Sequence, residues 1–263
     1  MSECPFPAIP EYLSHQRWPD ARISGATVSH VHAPETGAAN AIARSTFIPR
    51  VCELEELSEA VDAVLLARDD AEHHVKFASR ALRLGKPVYI DKPIALSRGG
   101  LLQLLDLQAA DGLIFTCSAL TFSPEFEPLR RSSPDNFSQV RSTAPKDWAR
   151  YGMHAIEPVV AVLWRRIQGQ NWKVRKLSDD PSAIVVHYED GLILEFACTG
   201  RNYTAFEVDA YFSDRSNLSL VHQDTFVAFR SALESFLGGI RAEKSPTDMA
   251  MVAHCVDLLE AGR

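Results

Sequence analysis

Residues 61–97 read VDAVLLARDDAEHHVKFASRALRLGKPVYIDKPIALS, and this stretch decides the fold. The apolar run Val61 to Ala67 predicts a buried strand, Ala71 to Leu84 a helix stopped at Gly85, and Pro87 to Ile90 a second strand. The unit ends in Asp91-Lys92-Pro93. Upstream, GATVSHVHA (25–33) predicts a strand, TGAANAIAR (36–44) a short helix and ELEELSEA (53–60) a capped acidic turn of helix. Downstream, residues 96–112 predict an amphipathic helix and LIFTCSAL (113–120) another buried strand. Strands alternating with helices imply a parallel sheet covered on its faces.

The pattern changes after about residue 118. PSAIVVHYEDGLILEFACTG (181–200) is two alternating runs joined at Glu189-Asp190-Gly191, a hairpin signal. TAFEVDAYFSD and SNLSLVHQ continue in that style, and helices close the chain from Phe226 to Ala261. The expected fold class is therefore α/β: a truncated Rossmann-like parallel-sheet domain over residues 1–117, then an α+β substrate and dimerisation domain over 118–263 with a mainly antiparallel sheet. RRSSPDNFSQ (130–139) is the best linker candidate.

Composition bounds the function. With 27 basic and 34 acidic residues the formal net charge is −7, without a basic block, so nucleic acid is an unexpected partner. The first twenty residues carry four prolines and no signal-peptide core, and no window reaches a transmembrane run. Five widely spaced cysteines without a CxxC pair suit a reduced, cytoplasmic setting. His30 and His32 share a strand face, but no third ligand stands at metal spacing, so no metal is expected.

Taken together, Asp91-Lys92-Pro93 after GKPVYI, VDAVLLA before its helix, ALTFSPEF, YGMHAIEPVVAVLW and the closing FLGGIRAEKSPTDMAMVAHCVDLLEAGR resemble the Gfo/Idh/MocA family of NAD(P)-dependent oxidoreductases. The resemblance runs through about residues 25 to 263. It implies that Lys92 holds the reacting hydroxyl near the nicotinamide and that His154 accepts or donates its proton, a pairing that hydride chemistry on a carbinol carbon requires. It implies NAD or NADP as cofactor, possible cofactor contacts at Arg68, Asp69 and His73, and a homodimer or higher oligomer through the C-terminal sheet. The small-molecule substrate would be a sugar, polyol or related acid.

Three departures mark this chain. Where the family helix carries an aspartate four residues before the histidine, this sequence has Arg150, with Asp147 one turn earlier; Asp147, Arg150 and Tyr151 are the candidate substrate-binding neighbours of His154. After VDAVLLA the chain continues Arg68-Asp69-Asp70, an acidic pair able to cap the next helix. Finally, GATVSHVHA aligns with the family's second strand, and the residues before it hold no glycine for a phosphate-binding turn. Either the cofactor half-site is lost or the native chain starts further upstream. With the half-site lost, the strand at Ala26–His32 should close the gap by pairing directly with Val61–Ala67. An oxidoreductase with impaired or atypical NAD(P) binding is the leading expectation. A non-catalytic sugar-binding sensor or partner subunit is the alternative, and a lyase or hydratase borrowing Lys92 and His154 a third.

Overall fold

The computed structural model describes residues 23–180, 182–202 and 204–263. The stretch from 61 to 90 folds as the sequence predicts. Strand β1 (Val64–Leu66) leads through a 3-10 turn into α3 (His74–Arg83), Gly85 closes the helix at φ +73°, and β2 (Val88–Ile90) returns parallel to β1. Ahead of it lie helices α1 (Thr36–Thr46) and α2 (Leu54–Ala60). Glu53 makes no side-chain capping bond to α2, so that helix starts without the expected cap. Behind it, α4 (Arg98–Leu105) leads to β3 (Ile114–Phe115), which pairs parallel to β2. Among the described residues this sheet has the order β1-β2-β3. Its alternating residues are apolar and sunk: Val64, Leu66, Val88, Ile90 and Ile114 all face the core.

The expected closure of the sheet by Ala26–His32 does not occur. That segment forms no strand; it contributes one parallel bridge, Val31 to Arg50, with Val31 N–H on Pro49 O and Val51 N–H on Val31 O. The physical reason is compositional. Between Gly25 and Pro34 the apolar residues are too few to bury an edge, and Val28 stays 61% exposed. Leu65 on β1 is likewise 48% exposed.

The second sheet has the order β5-β6-β7-β4-β8-β9. It comprises β4 (Phe137–Ala144), β5 (Trp172–Asp179), β6 (Ser182–Tyr188), β7 (Ile193–Cys198), β8 (Glu207–Phe212) and β9 (Asn217–Val221). All pairings are antiparallel except β4 with β7. The β6–β7 hairpin turns where predicted, with Gly191 at φ +90°, a conformation open to glycine. Ile184, Val186, Leu194 and Phe196 point to the buried face. The polar stretch 130–139 is not a boundary, because Phe137 within it is fully buried and opens β4.

Helix α6 (Trp148–Ile167) lies across β4 and β7 and against α8 (Met249–Ala261). Asp147 caps α6, accepting the Arg150 N–H at 3.0 Å. Helix α7 (Thr225–Arg241) returns to the first half of the chain, where Ala228, Ala232 and Phe236 pack on Phe115, Cys117 and Ala119. One short helix, α5 (Glu127–Arg131), links the two sheets. No helix among the described residues is long and apolar enough to cross a membrane.

Candidate active site

Parallel strands deliver side chains at their C-terminal ends. Here β1 delivers Arg68, Asp69 and Asp70, and β2 delivers Asp91 and Lys92, to a cleft of about 620 Å³. Tyr151 and His154 of α6 enter from the other side, joined by Phe206, His222 and Thr225. Lys92 and His154, far apart in sequence, thus face one cavity. The Lys92 side chain is only 12% exposed; its ammonium is 3.7 Å from Asp91 Oδ2 and 5.7 Å from the centre of the Tyr151 ring. Tyr151 stacks on Phe206 with 6.2 Å between ring centres, and His154 meets Phe206 edge-on at 5.2 Å. Two flat aromatic faces therefore flank the cation and the imidazole.

His154 is held from behind. Its Nδ1 lies 2.7 Å from Ser118 Oγ, and the Ser118 backbone N–H donates to Glu157 Oε2 at 2.5 Å. Glu157 is one turn beyond His154 on α6, so a single helix grips both ends of Ser118. Burial drives the His154 pKa well below its ordinary value, and the charges of Lys92 and His222 push the same way. The ring is neutral at pH 7. Burial raises the Glu157 carboxyl to about 8 against the pull of the Ser118 amide, so it is mostly protonated at the same pH.

The other sequence-predicted residues divide. Asp69 lines the cleft. So does Arg68, but its guanidinium is committed to Asp70 through two bonds of 2.7 and 2.6 Å. The bond from Arg68 leads the fall of the Asp70 pKa to about 2, and Asp70 makes no capping bond to the following turn. His73 is 54% exposed, pairs with Asp70 at 3.1 Å and does not line the cleft. Its neighbour His74 is the buried one, with Nδ1 3.0 Å from Ile94 O and Nε2 2.9 Å from Arg68 O, tying the two strand-end loops together. Asp147 serves as the helix cap, and Arg150 turns to Asp69 at 3.7 Å, outside the cleft lining. Of the three proposed neighbours of His154, only Tyr151 stands in the cavity.

Sequence reasoning passed over Ser118, Glu157 and His222. Ser118 sits at the end of a strand candidate where a small polar residue carries no motif, and Glu157 reads as a solvated helix position. His222 is a lone histidine after a strand.

A dinucleotide requires a nicotinamide end and a pyrophosphate cradle of backbone amides. The described residues fit the first, with Lys92 and the loops after β1 and β2 in place, and do not fit the second. No glycine-rich turn occurs among them, and the nearest strand-end loop presents Asp69 and Asp70, with its one guanidinium already neutralised. Among the described residues no cluster of three or more metal-ligating side chains occurs.

Residues 11–118 match the model of the Gfo/Idh/MocA family, described as an oxidoreductase family with an NAD-binding Rossmann fold. Over this part of the chain the match agrees with the resemblance read from the sequence. The whole fold is similar to a probable dehydrogenase from Thermotoga maritima, at 13% identity and TM-score 0.74 over 90% of this chain and 88% of that one. It is similar also to a putative myo-inositol dehydrogenase from Sinorhizobium meliloti 1021, at 15% identity and TM-score 0.74 over 92% and 90%. A myo-inositol dehydrogenase from Lactobacillus casei, solved with NAD(H) and myo-inositol, aligns at 13% identity and TM-score 0.73 over 91% and 86%. No curated protein matches the chain by sequence.

Proposed function

We propose that the chain is an oxidoreductase for a neutral hydroxylated small molecule, a sugar or polyol, with NAD(P) as a weakly and atypically held redox partner. The observation that carries this reading is the convergence of Lys92 and His154 on one aromatic-walled cleft. A buried ammonium favours a hydroxyl oxygen as its proton departs, and a neutral imidazole beside it can take part in the transfer. Tyr151 and Phe206 offer apolar faces to the C–H face of a sugar ring or cyclitol. The acid branch of the sequence expectation loses its support, because Arg150 is paired with Asp69 and stands outside the cleft. Lys92 is then the cation for one substrate oxygen.

The sensor reading keeps a specific observation in its favour. The acidic residues after β1 oppose a diphosphate while leaving the polyol half of the cleft untouched. Thermal-shift titration with myo-inositol and a panel of hexoses and polyols, alone and with NAD(H) or NADP(H), separates the two, since a native-state ligand raises the melting temperature. Nicotinamide turnover with any of them supports the enzyme. Polyol stabilisation without turnover at saturating cofactor supports the sensor, and no response to any polyol rejects both.

A further inference from the structure

The cleft holds a second histidine whose hydrogen bonds define its protonation more tightly than those of His154. Ser123 Oγ donates to Glu125 Oε2 at 2.6 Å, because a carboxylate can only accept. The same oxygen lies 2.9 Å from His222 Nδ1, and with its proton spent on Glu125 it must accept from that nitrogen. His222 therefore carries its ring proton on Nδ1. The other nitrogen, Nε2, presents a lone pair to Thr225 Oγ1 at 3.1 Å, and both His222 and Thr225 line the cleft. The loop is braced: Arg130 bonds the Ser123 carbonyl at 2.8 Å and the Thr121 carbonyl at 3.1 Å, and Glu125 accepts the Asp224 N–H at 3.1 Å.

We infer that His222 is a second proton-handling residue of the cleft, a base at Nε2 aligned by Ser123 and Glu125 to take the proton of a ligand hydroxyl. The inference rests on the reading that the cleft binds a hydroxylated molecule. In the step, the ligand O–H bond breaks, its electron pair stays on oxygen, and an N–H bond forms at Nε2. Thr225 Oγ–H, which occupies the lone pair in the free chain, turns to the ligand. The new imidazolium keeps its Nδ1–H on Ser123, and the Ser123 hydroxyl stays on Glu125. Nothing is oxidised in this step.

The surroundings favour this division of labour. Burial lowers the His222 pKa, keeping the free ring neutral, but Glu125 and Asp224 pull toward the charged form. Around His154 the neighbouring charges are Lys92 and His222, and both oppose a positive ring. The Ser118 hydroxyl behind His154 has no carboxylate to bond, since Glu157 takes the backbone N–H instead. A proton arriving in the cleft is better held on His222, leaving His154 as a neutral hydrogen-bonding partner.

Nuclear magnetic resonance of the chain labelled with ¹⁵N-histidine tests the assignment without a substrate, with H222Q identifying the ring signals. The expected result is an Nδ1–H tautomer for His222 in the wild type and a shift toward Nε2–H in S123A. An Nε2–H tautomer in the wild type, or an S123A ring unchanged from it, overturns the proposal. In turnover of myo-inositol or another accepted polyol, H222Q with unchanged circular dichroism should lose kcat by about 100-fold or more; full retention of kcat also overturns it. A wild type that oxidises no polyol would defeat the oxidoreductase reading, while the two tautomer measurements still decide the state of His222.

Discussion

The Ser118 hydroxyl stands 2.7 Å from Nδ1 of His154, fully buried behind the cleft. It occupies the orienting position behind the imidazole, where the family resemblance leads one to expect an aspartate and this helix supplies Arg150. S118A should leave a buried ring nitrogen without a partner, at a cost of about 1–3 kcal/mol. It should lower turnover more than it raises KM. A lowered melting temperature together with a kcat loss checks both effects.

Lys92 and Arg150 should separate cleanly. K92M removes the only lysine among the described residues that line the cleft, and loss of a group that stabilises developing charge should reduce kcat by about 100-fold. R150A touches an exposed pair with Asp69 and should leave polyol affinity unchanged and stability within about 0.5 kcal/mol. Steady-state kinetics and denaturant melts of the two variants provide the comparison.

Glu157 makes stability fall with rising pH. Its carboxyl titrates near 4.5 when the chain is unfolded and at about 8 when it is folded and buried, so between those values the native state holds a proton that the unfolded state releases. Its contribution is complete below pH 4.5 and is lost up to pH 8, by about 1.4 kcal/mol per pH unit at most. E157Q retains an acceptor for the Ser118 N–H and has no such proton. Its stability relative to the wild type should rise steadily from pH 5 to pH 8 in urea melts.

Among the described residues α6 packs on one face of the six-stranded sheet, and on the other the half-buried Ile193 and the 36% exposed Tyr211 stand beside Arg141, Glu195 and Asp209. Arg141 and Glu195 already pair there at 2.7 Å. A two-fold partner laid on this face would bury the apolar residues and match charges of both signs. Sedimentation at micromolar concentration should show a dimer, and Y211D, at an exposed position of this face, should convert it to monomer.

How far the sequence could be read depended on whether the answer lay in one segment or between several. The β1-α3-β2 unit and the β6–β7 hairpin were legible because local periodicity and turn chemistry agree with the final packing. Lys92 and His154 were legible through the motif around each. The roles of Asp147 and Arg150 were not, since helical spacing shows which residues share a face and not which partner that face meets; Asp69, on a distant loop, took Arg150. The Ser118, Glu157 and His222 contacts join residues more than thirty positions apart, a separation at which neither propensity nor spacing carries information. The failed pairing of Ala26–His32 with β1 shows the converse. Backbone satisfaction alone does not form a strand when its side chains bring too little apolar surface to bury.

The cleft is proposed to be competent at its polyol end and deficient, among the described residues, at its pyrophosphate end. Calorimetric titration of this 263-residue chain with NAD(H) and NADP(H), with and without saturating myo-inositol or the best polyol of the panel, tests that claim most directly. The expected result is a dinucleotide Kd of about 1 mM or weaker, near −4 kcal/mol, with the polyol binding independently of it. A micromolar Kd for either dinucleotide would contradict the account.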